Sequence, residues 1–367
     1  MKVLFVTMTA GQGHNSACAA VSEYIGARGA ECMTVDILKS LSPLAAKAFE
    51  KANNGLIRYS PFSYELFYGF YEKADKEDYQ PSPIYILGAL VSEPLRKAIE
   101  DFKPDYIVCS HVFCALALTY LKRRKKINCP IIGIVTDFTI HPFWDEAVVD
   151  ILVTASPQLN YSCNAKGIEA EIYPVGIPVR EKFLEDIPKR RARKMLGLTN
   201  QPVLMIISGS TGYGNLLQTV QALDKLPYDM QIVVICGNNK TAYNRIRKLD
   251  IKKPLHCYGY IDNIDIYMSA ADILVTKPGG ITASEAIVKR LPMVLINPIP
   301  GQEVRNMQFL VNNGMAVYYD DEMPLDEKTA RLITEPSHLD CIRHNMEVLG
   351  KRDGVKKIGD LILNKLY

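Results

Sequence analysis

Short, uninterrupted apolar runs alternate with helix-patterned segments along this chain, and the series occurs twice. Val3–Val6 is such a run, and it is followed by a glycine-containing loop and then by Ala17, Ala20, Val21, Tyr24 and Ile25 at three-to-four spacing. A strand apolar at every position is covered on both faces, which is the condition of a parallel sheet between two helical layers. Runs at Met33–Val35, Tyr106–Val108, Ile131–Val135 and Ile151–Val153 continue the first series, with a helix over Ala115–Lys122. After Gly176-Ile-Pro-Val-Arg180 and the charged stretch Glu181–Arg193, a second series begins with Val203–Ile207, Gln231–Ile235, Asp272–Thr276 and Met293–Asn297. Strand–helix alternation of this kind predicts an α/β chain with two doubly wound parallel sheets. The expected divisions are residues 1–178, residues 179–340, and C-terminal helices over 341–367 that pack back on the first domain.

At 367 residues the chain is long enough for two cores. Its hydrophobic content of 48% and charged content of 23% are those of a globular protein, and a net charge of +3 gives no reason to expect nucleic acid. The nine cysteines include no CxxC pair, which supports neither a disulfide framework nor a zinc site and suits a reducing cytoplasm. No stretch approaches the roughly 18 apolar residues of a spanning helix, so membrane contact is expected to be peripheral. The N-terminal apolar run ends at Gly11 and Gly13, and it reads as a buried strand rather than a signal peptide.

Three strand-to-helix loops carry the candidate chemistry. Thr9-Ala-Gly-Gln-Gly-His14 joins the first strand to the first helix, where open backbone N–H groups and a partial positive charge favour anions. With Asp36 it partly imitates a dinucleotide fingerprint, but Ser16 replaces the third glycine. His14 beside Gly13 reads instead as a general base or substrate ligand. Ser208-Gly-Ser-Thr-Gly-Tyr-Gly-Asn215 is the equivalent loop of the second series, with Gly209, Ser210 and Gly212 able to cradle phosphate; no GK[ST] follows it. Thr276-Lys-Pro-Gly-Gly-Ile-Thr-Ala-Ser-Glu285 opens a helix expected to begin near Thr282. There Gly279, Gly280 and Thr282 suit a diphosphate and Glu285 a ribose, with Gln302, Glu303 and Asn306 following the next strand.

Taken together these motifs resemble family 28 glycosyltransferases, most closely the diacylglycerol glucosyltransferase and monogalactosyldiacylglycerol synthase group. The resemblance covers nearly the whole chain. It is carried by the loop ending in His14, Thr136-Asp-Phe-Thr-Ile-His-Pro-Phe-Trp144, Gly176–Arg180, Cys236-Gly-Asn-Asn239, Lys277–Glu285 and Pro300-Gly-Gln-Glu303. It implies a GT-B fold of two Rossmann-like domains whose parallel sheets face each other across a cleft. The donor would be held by Gly209, Ser210, Gly212, Gly237, Asn238, Tyr260, Ile261, Lys277, Gly279, Gly280, Thr282, Glu285, Gln302 and Glu303. The acceptor side would be formed by Gly13, His111, His141, Trp144 and Arg180, with His14 or Asp137 as the base. The implied reaction is inverting transfer of a hexose from UDP-glucose to diacylglycerol at the cytoplasmic face of the membrane. UDP-galactose and UDP-GlcNAc are the alternative donors, and a nucleotide-sugar epimerase or a non-catalytic UDP-sugar sensor are competing readings. With no DxD pair, neither a cofactor nor a metal is expected.

Two segments suggest how a lipid surface is met. Tyr59–Glu72 has seven aromatics in fourteen positions, flanked by Arg58, Lys73 and Lys76. Lys122-Arg-Arg-Lys-Lys126 is a run of five cations suited to anionic head groups.

Overall fold

The computed structural model describes residues 1–8, 12–39, 83–207, 216–319 and 324–364. The loop 9–11, the aromatic segment 59–72 with its flanking cations, and Ser208–Asn215 with Gly209, Ser210 and Gly212 lie outside the described residues. The chain divides into two compact units. The first is Met1–Glu181 with Ile299–Gln302 and Asp353–Tyr367; the second is Lys182–Pro298 with Glu303–Arg352.

The first unit is built on β1 (Lys2–Thr7), β2 (Glu31–Asp36), β3 (Tyr106–Cys109), β4 (Ile131–Ile134), β5 (Ile151–Val153) and β6 (Glu171–Tyr173). All pair in parallel in the order β2-β1-β3-β4-β5-β6. Between them run α1 (Gln12–Gly26), α2 (Pro83–Phe102), α3 (Val112–Arg123) and the short α4 (Asn160–Ala165). Val3, Leu4, Phe5 and Val6 are fully buried, as the apolar run requires of a central strand.

The second unit repeats the plan. Its strands are β7 (Val203–Ile207), β8 (Gln231–Ile235), β9 (Leu255–Tyr258), β10 (Ile273–Thr276), β11 (Met293–Leu295) and β12 (Ala316–Tyr318), ordered β12-β11-β10-β7-β8-β9 and all parallel. Around them lie α5 (Lys189–Met195), α6 (Leu216–Asp224), α7 (Lys240–Ile246), α8 (Ile264–Ala270), α9 (Gly280–Val288), α10 (Gln302–Asn312), α11 (Leu325–Thr334) and α12 (Pro336–Leu349). The apolar runs thus find their strands, and the α/β class with two doubly wound parallel sheets is as expected. β6, β9 and β12 carry no such run, and each is an outermost strand with partly exposed residues.

A last helix, α13 (Gly354–Leu363), lies on α1 in the first unit. The close approach depends on glycine. A Cβ on Gly359 would stand inside contact distance of the Tyr24 ring, and one on Gly354 would stand 2.9 Å from the carbonyls of Val175 and Gly176. The Tyr24 hydroxyl donates to Asp360 at 3.0 Å, and the Arg28 guanidinium lies 3.5 Å over the same ring while pairing with Glu181.

Candidate active site

In a doubly wound sheet ligands bind beyond the carboxyl ends of the strands, where successive connections leave in opposite directions. In the first unit that point falls between β1 and β3. His14, in the first turn of α1, comes from one side of it; Ser110 and His111, just after β3, come from the other. Nδ1 of His14 lies 2.8 Å from the Ser110 carbonyl oxygen. A carbonyl only accepts, so Nδ1 carries the proton and Nε2 carries the ring's lone pair. The Thr136 hydroxyl stands 3.0 Å from the same Nδ1, and Ser110 Oγ donates back to the His14 carbonyl at 2.9 Å. Cys18, one turn along α1, donates its thiol to Ser110 Oγ. Burial lowers the His14 pKa, opposed by the negative charge of Asp137 and by the Ser110 carbonyl. The imidazole is therefore neutral at pH 7, as a proton acceptor must be.

His111 packs edge-on against His14 with ring centroids 4.4 Å apart. Its Nδ1 accepts the Phe113 N–H at 3.1 Å and so caps α3. Burial holds its pKa well below the ordinary histidine value, with His14 and His141 adding to the effect. His141 does the same capping work on the turn Pro142–Asp145, accepting the Phe143 N–H at 3.3 Å. Asp137 follows β4, and its Oδ2 accepts from the Gln302 side-chain amide at 2.8 Å; the stretch Ile299–Gln302 clusters with this unit.

Two residues expected on the acceptor side, Trp144 and Arg180, have packing or pairing roles in the structure. Trp144 is 3% exposed, and a Cβ on Gly133 of β4 would meet its ring at 2.8 Å. It fills the core over the sheet, which explains a glycine inside a buried strand. Arg180 pairs with Glu23 at 3.3 Å, far along α1 from His14. The cation run lies at the far end of α3 from His111. There Lys122 pairs with Asp150 at 2.6 Å, and Arg123, Arg124, Lys125 and Lys126 are exposed.

In the second unit the strand order reverses between β7 and β10. Lys277-Pro278-Gly279 leaves β10 and enters α9, which starts at Gly280, two residues before the expected position, because Gly279 takes the extended N-cap conformation. Gly279 makes no side-chain cap, so the first-turn N–H groups of Gly280, Ile281 and Thr282 have no intrahelical acceptor and suit an anion. Asn306, fully buried on α10, donates to the Pro278 carbonyl at 3.1 Å and pins this turn. Thr282 and Glu285 sit one turn apart and half-exposed on a common face. Lys277 is buried; desolvation lowers its pKa and the Glu303 charge opposes the shift.

The neighbouring strand ends supply two more turns. Gly237 has φ +54, Asn238 follows it, and Asn239 caps α7 by accepting from Ala242 at 2.9 Å. A Cβ on Gly259 would meet the Gly237 carbonyl at 3.7 Å, so the two loops adjoin. Beyond Gly259, Tyr260 is 67% exposed and Ile261 half-exposed. Ser110 carries no sequence signal, because its contribution to His14 is a backbone carbonyl, and Thr136 is marked only by its place in the Thr136–Trp144 motif. Among the described residues no helix is long and apolar enough to cross a membrane.

Two six-stranded parallel sheets, each with its strand order reversing beside ligand-type loops, are the GT-B fold. CalG4, the calicheamicin glycosyltransferase, superposes with a TM-score of 0.64 over 100% of this chain and 98% of its own, at 13% identity. A UDP-GlcNAc 2-epimerase from Neisseria meningitidis, solved with UDP-GlcNAc, does so at 0.63 over 99% of this chain and 100% of its own, at 16% identity. Residues 14–179 match the monogalactosyldiacylglycerol (MGDG) synthase family, and residues 203–358 match the glycosyltransferase family 28 C-terminal domain. The processive diacylglycerol β-glucosyltransferase of Bacillus cereus (strain AH187) is 28% identical over 99% of this chain and 93% of its own length. The chain belongs to the family 28 glycosyltransferases, in the group of the diacylglycerol glucosyltransferases and MGDG synthases.

Proposed function

We propose that this enzyme transfers glucose from UDP-glucose to diacylglycerol, inverting the anomeric centre, at the cytoplasmic face of a membrane. The acceptor hydroxyl oxygen attacks C1 of the sugar as its proton passes to Nε2 of His14. The bond from C1 to the diphosphate oxygen breaks, and its electron pair leaves with UDP. A donor α-linked at C1 gives a β-glycoside, the linkage named in the Bacillus relative.

The observation that carries this reading is the Nδ1–Ser110 contact, which leaves His14 neutral with a basic Nε2 at the sheet's switch point. In the second unit, the N-terminus of α9 and the buried Lys277 offset the charge that grows on the leaving diphosphate. Thr282 contacts phosphate, Glu285 takes the ribose hydroxyls, and the Gly237 and Gly259 turns with Tyr260 and Ile261 meet the uracil. The desolvation that lowers the Lys277 pKa is opposed by the negative charge of Glu303, which favours the charged ammonium. No bound metal is needed for this step.

The exposed cations Arg123–Lys126 hold the enzyme on anionic lipid. They sit at the opposite end of α3 from His111, so they act as a tether and take no part in presenting the acceptor. Each cation at such a surface contributes on the order of 1 kcal/mol.

The test is incubation of the protein with diacylglycerol vesicles and, separately, UDP-glucose, UDP-galactose and UDP-GlcNAc, with the lipids resolved by chromatography. Glucosyl lipid from UDP-glucose is the expected product. Lipid labelled only from UDP-galactose would make the enzyme a galactolipid synthase, and isomerised sugar nucleotide with no labelled lipid would make it an epimerase.

A further inference from the structure

We propose that His111 is a hydrogen-bond donor that orients the acceptor, and that it and His14 are held in opposite tautomers as one recognition unit. A neutral imidazole carries a single proton, so what one nitrogen does dictates what the other can do. Nδ1 of His111 accepts the backbone N–H of Phe113 at 3.1 Å, which places the proton on Nε2. Nδ1 of His14 faces a carbonyl oxygen at 2.8 Å, which places its proton there and the lone pair on Nε2. The rings meet edge-on with centroids 4.4 Å apart. One ring thus offers a lone pair and its immediate neighbour an N–H.

The two histidines cannot exchange roles. The only lone pair on the His111 ring is engaged by the N-terminus of α3, so His111 accepts no proton from a substrate while that cap stands. Burial among His14 and His141 keeps it from becoming a cation. Such a pair fits an alcohol with a second oxygen on the neighbouring carbon. The hydroxyl gives its proton to His14, and the adjacent oxygen accepts the N–H of His111. A glycerol carbon bearing an ester beside a free hydroxyl has this pattern; a simple long-chain alcohol does not. The assignment rests on the reading of His14 as the base.

Two substitutions separate donor from cap, because asparagine reproduces Nδ1 and glutamine reproduces Nε2. His111→Asn keeps an acceptor for the Phe113 N–H and loses the distal donor. It is expected to retain the parental Tm and the KM for the sugar nucleotide. Its preference in kcat/KM for diacylglycerol over a long-chain alcohol is expected to fall roughly 10- to 100-fold. His111→Gln keeps the distal donor and loses the cap; it is expected to retain that preference while its Tm drops by about 2–4 °C. The reverse pattern, an unaltered preference in His111→Asn and a lost one in His111→Gln, would show a helix cap and nothing more, and would overturn the proposal.

A measurement that needs no turnover accompanies these. Long-range ¹⁵N correlation spectra of histidine-labelled parent protein at pH 7 are expected to show His111 protonated on Nε2 and His14 on Nδ1. A shared tautomer, or an imidazolium at position 111, would overturn the proposal. A parent protein that moves sugar to no lipid would remove the functional reading, and the spectra would still decide the tautomers.

Discussion

The imidazole of His14 donates through Nδ1 to the carbonyl oxygen of Ser110 across 2.8 Å, joining the first turn of α1, the helix after β1, to the loop after β3. The two strands are neighbours although some hundred residues separate the loops. The contact fixes which nitrogen of the ring can accept a proton, and it does so with a backbone atom whose position the sheet itself determines.

Removing that ring should remove catalysis and spare binding. His14→Ala is expected to lower kcat by about 10²- to 10⁴-fold, the usual worth of a positioned general base. UDP affinity, measured by calorimetry, should stay within a few-fold of the parent. A variant that turns over at the parental rate would assign the base elsewhere.

Asp137 tunes the same ring. The burial that lowers the His14 pKa is opposed by the Asp137 charge, so neutralising that charge leaves burial less opposed and the pKa falls further. The base works when unprotonated, so activity is lost as pH falls through this pKa. In Asp137→Asn the acidic limb of the kcat/KM profile should therefore move to lower pH. A limb that stays in place or moves upward would show that Asp137 does not act on His14.

Nucleotide binding should answer to Glu285. It stands half-exposed one turn beyond Thr282 on α9, where its carboxylate can accept both ribose hydroxyls. Glu285→Ala is expected to weaken UDP binding by roughly 1–3 kcal/mol, the cost of leaving polar partners unmatched. Equal affinity in variant and parent would place the ribose elsewhere.

Stability should answer to Gly359. An alanine methyl there collides with the Tyr24 ring, which is held by its bond to Asp360 and by the guanidinium stacked on it. Gly359→Ala is expected to cost about 1–3 kcal/mol, as overpacking of a filled contact does, and to lower the Tm in a thermal melt. An unchanged Tm would mean that α13 is not seated on α1.

What was legible in the sequence follows from burial. Central strands are covered on both faces and announce themselves as apolar runs: among the described residues these are eight of twelve strands, and the outermost β2 reads as well from Met33–Val35. The three without such a run, β6, β9 and β12, are sheet edges, where residues such as the exposed Glu171 and the half-exposed His256 break the apolar pattern. His14, Thr282 and Glu285 stand out in the sequence because each lies in a helix that directly follows a strand end, the place where ligands of such sheets bind. Which strands are neighbours was not, because periodicity carries no information on strand order. The partnership of His14 with Ser110 therefore stayed hidden, as did the bond from Gln302 to Asp137. The packing of Trp144 over Gly133 was not legible either, because an aromatic beside a polar motif looks the same in sequence whatever it packs against.

The return of α13 to the first unit has a consequence for biosynthesis. A ribosome releases residues in order, so β1 and α1 emerge early, yet Gly354–Leu363 follows only after every strand of the second unit has been made. Until then the α1 surface around Tyr24 and Ile25 waits bare in the nascent polypeptide, a greasy face with its partner still untranslated. The half made first is therefore the half completed last.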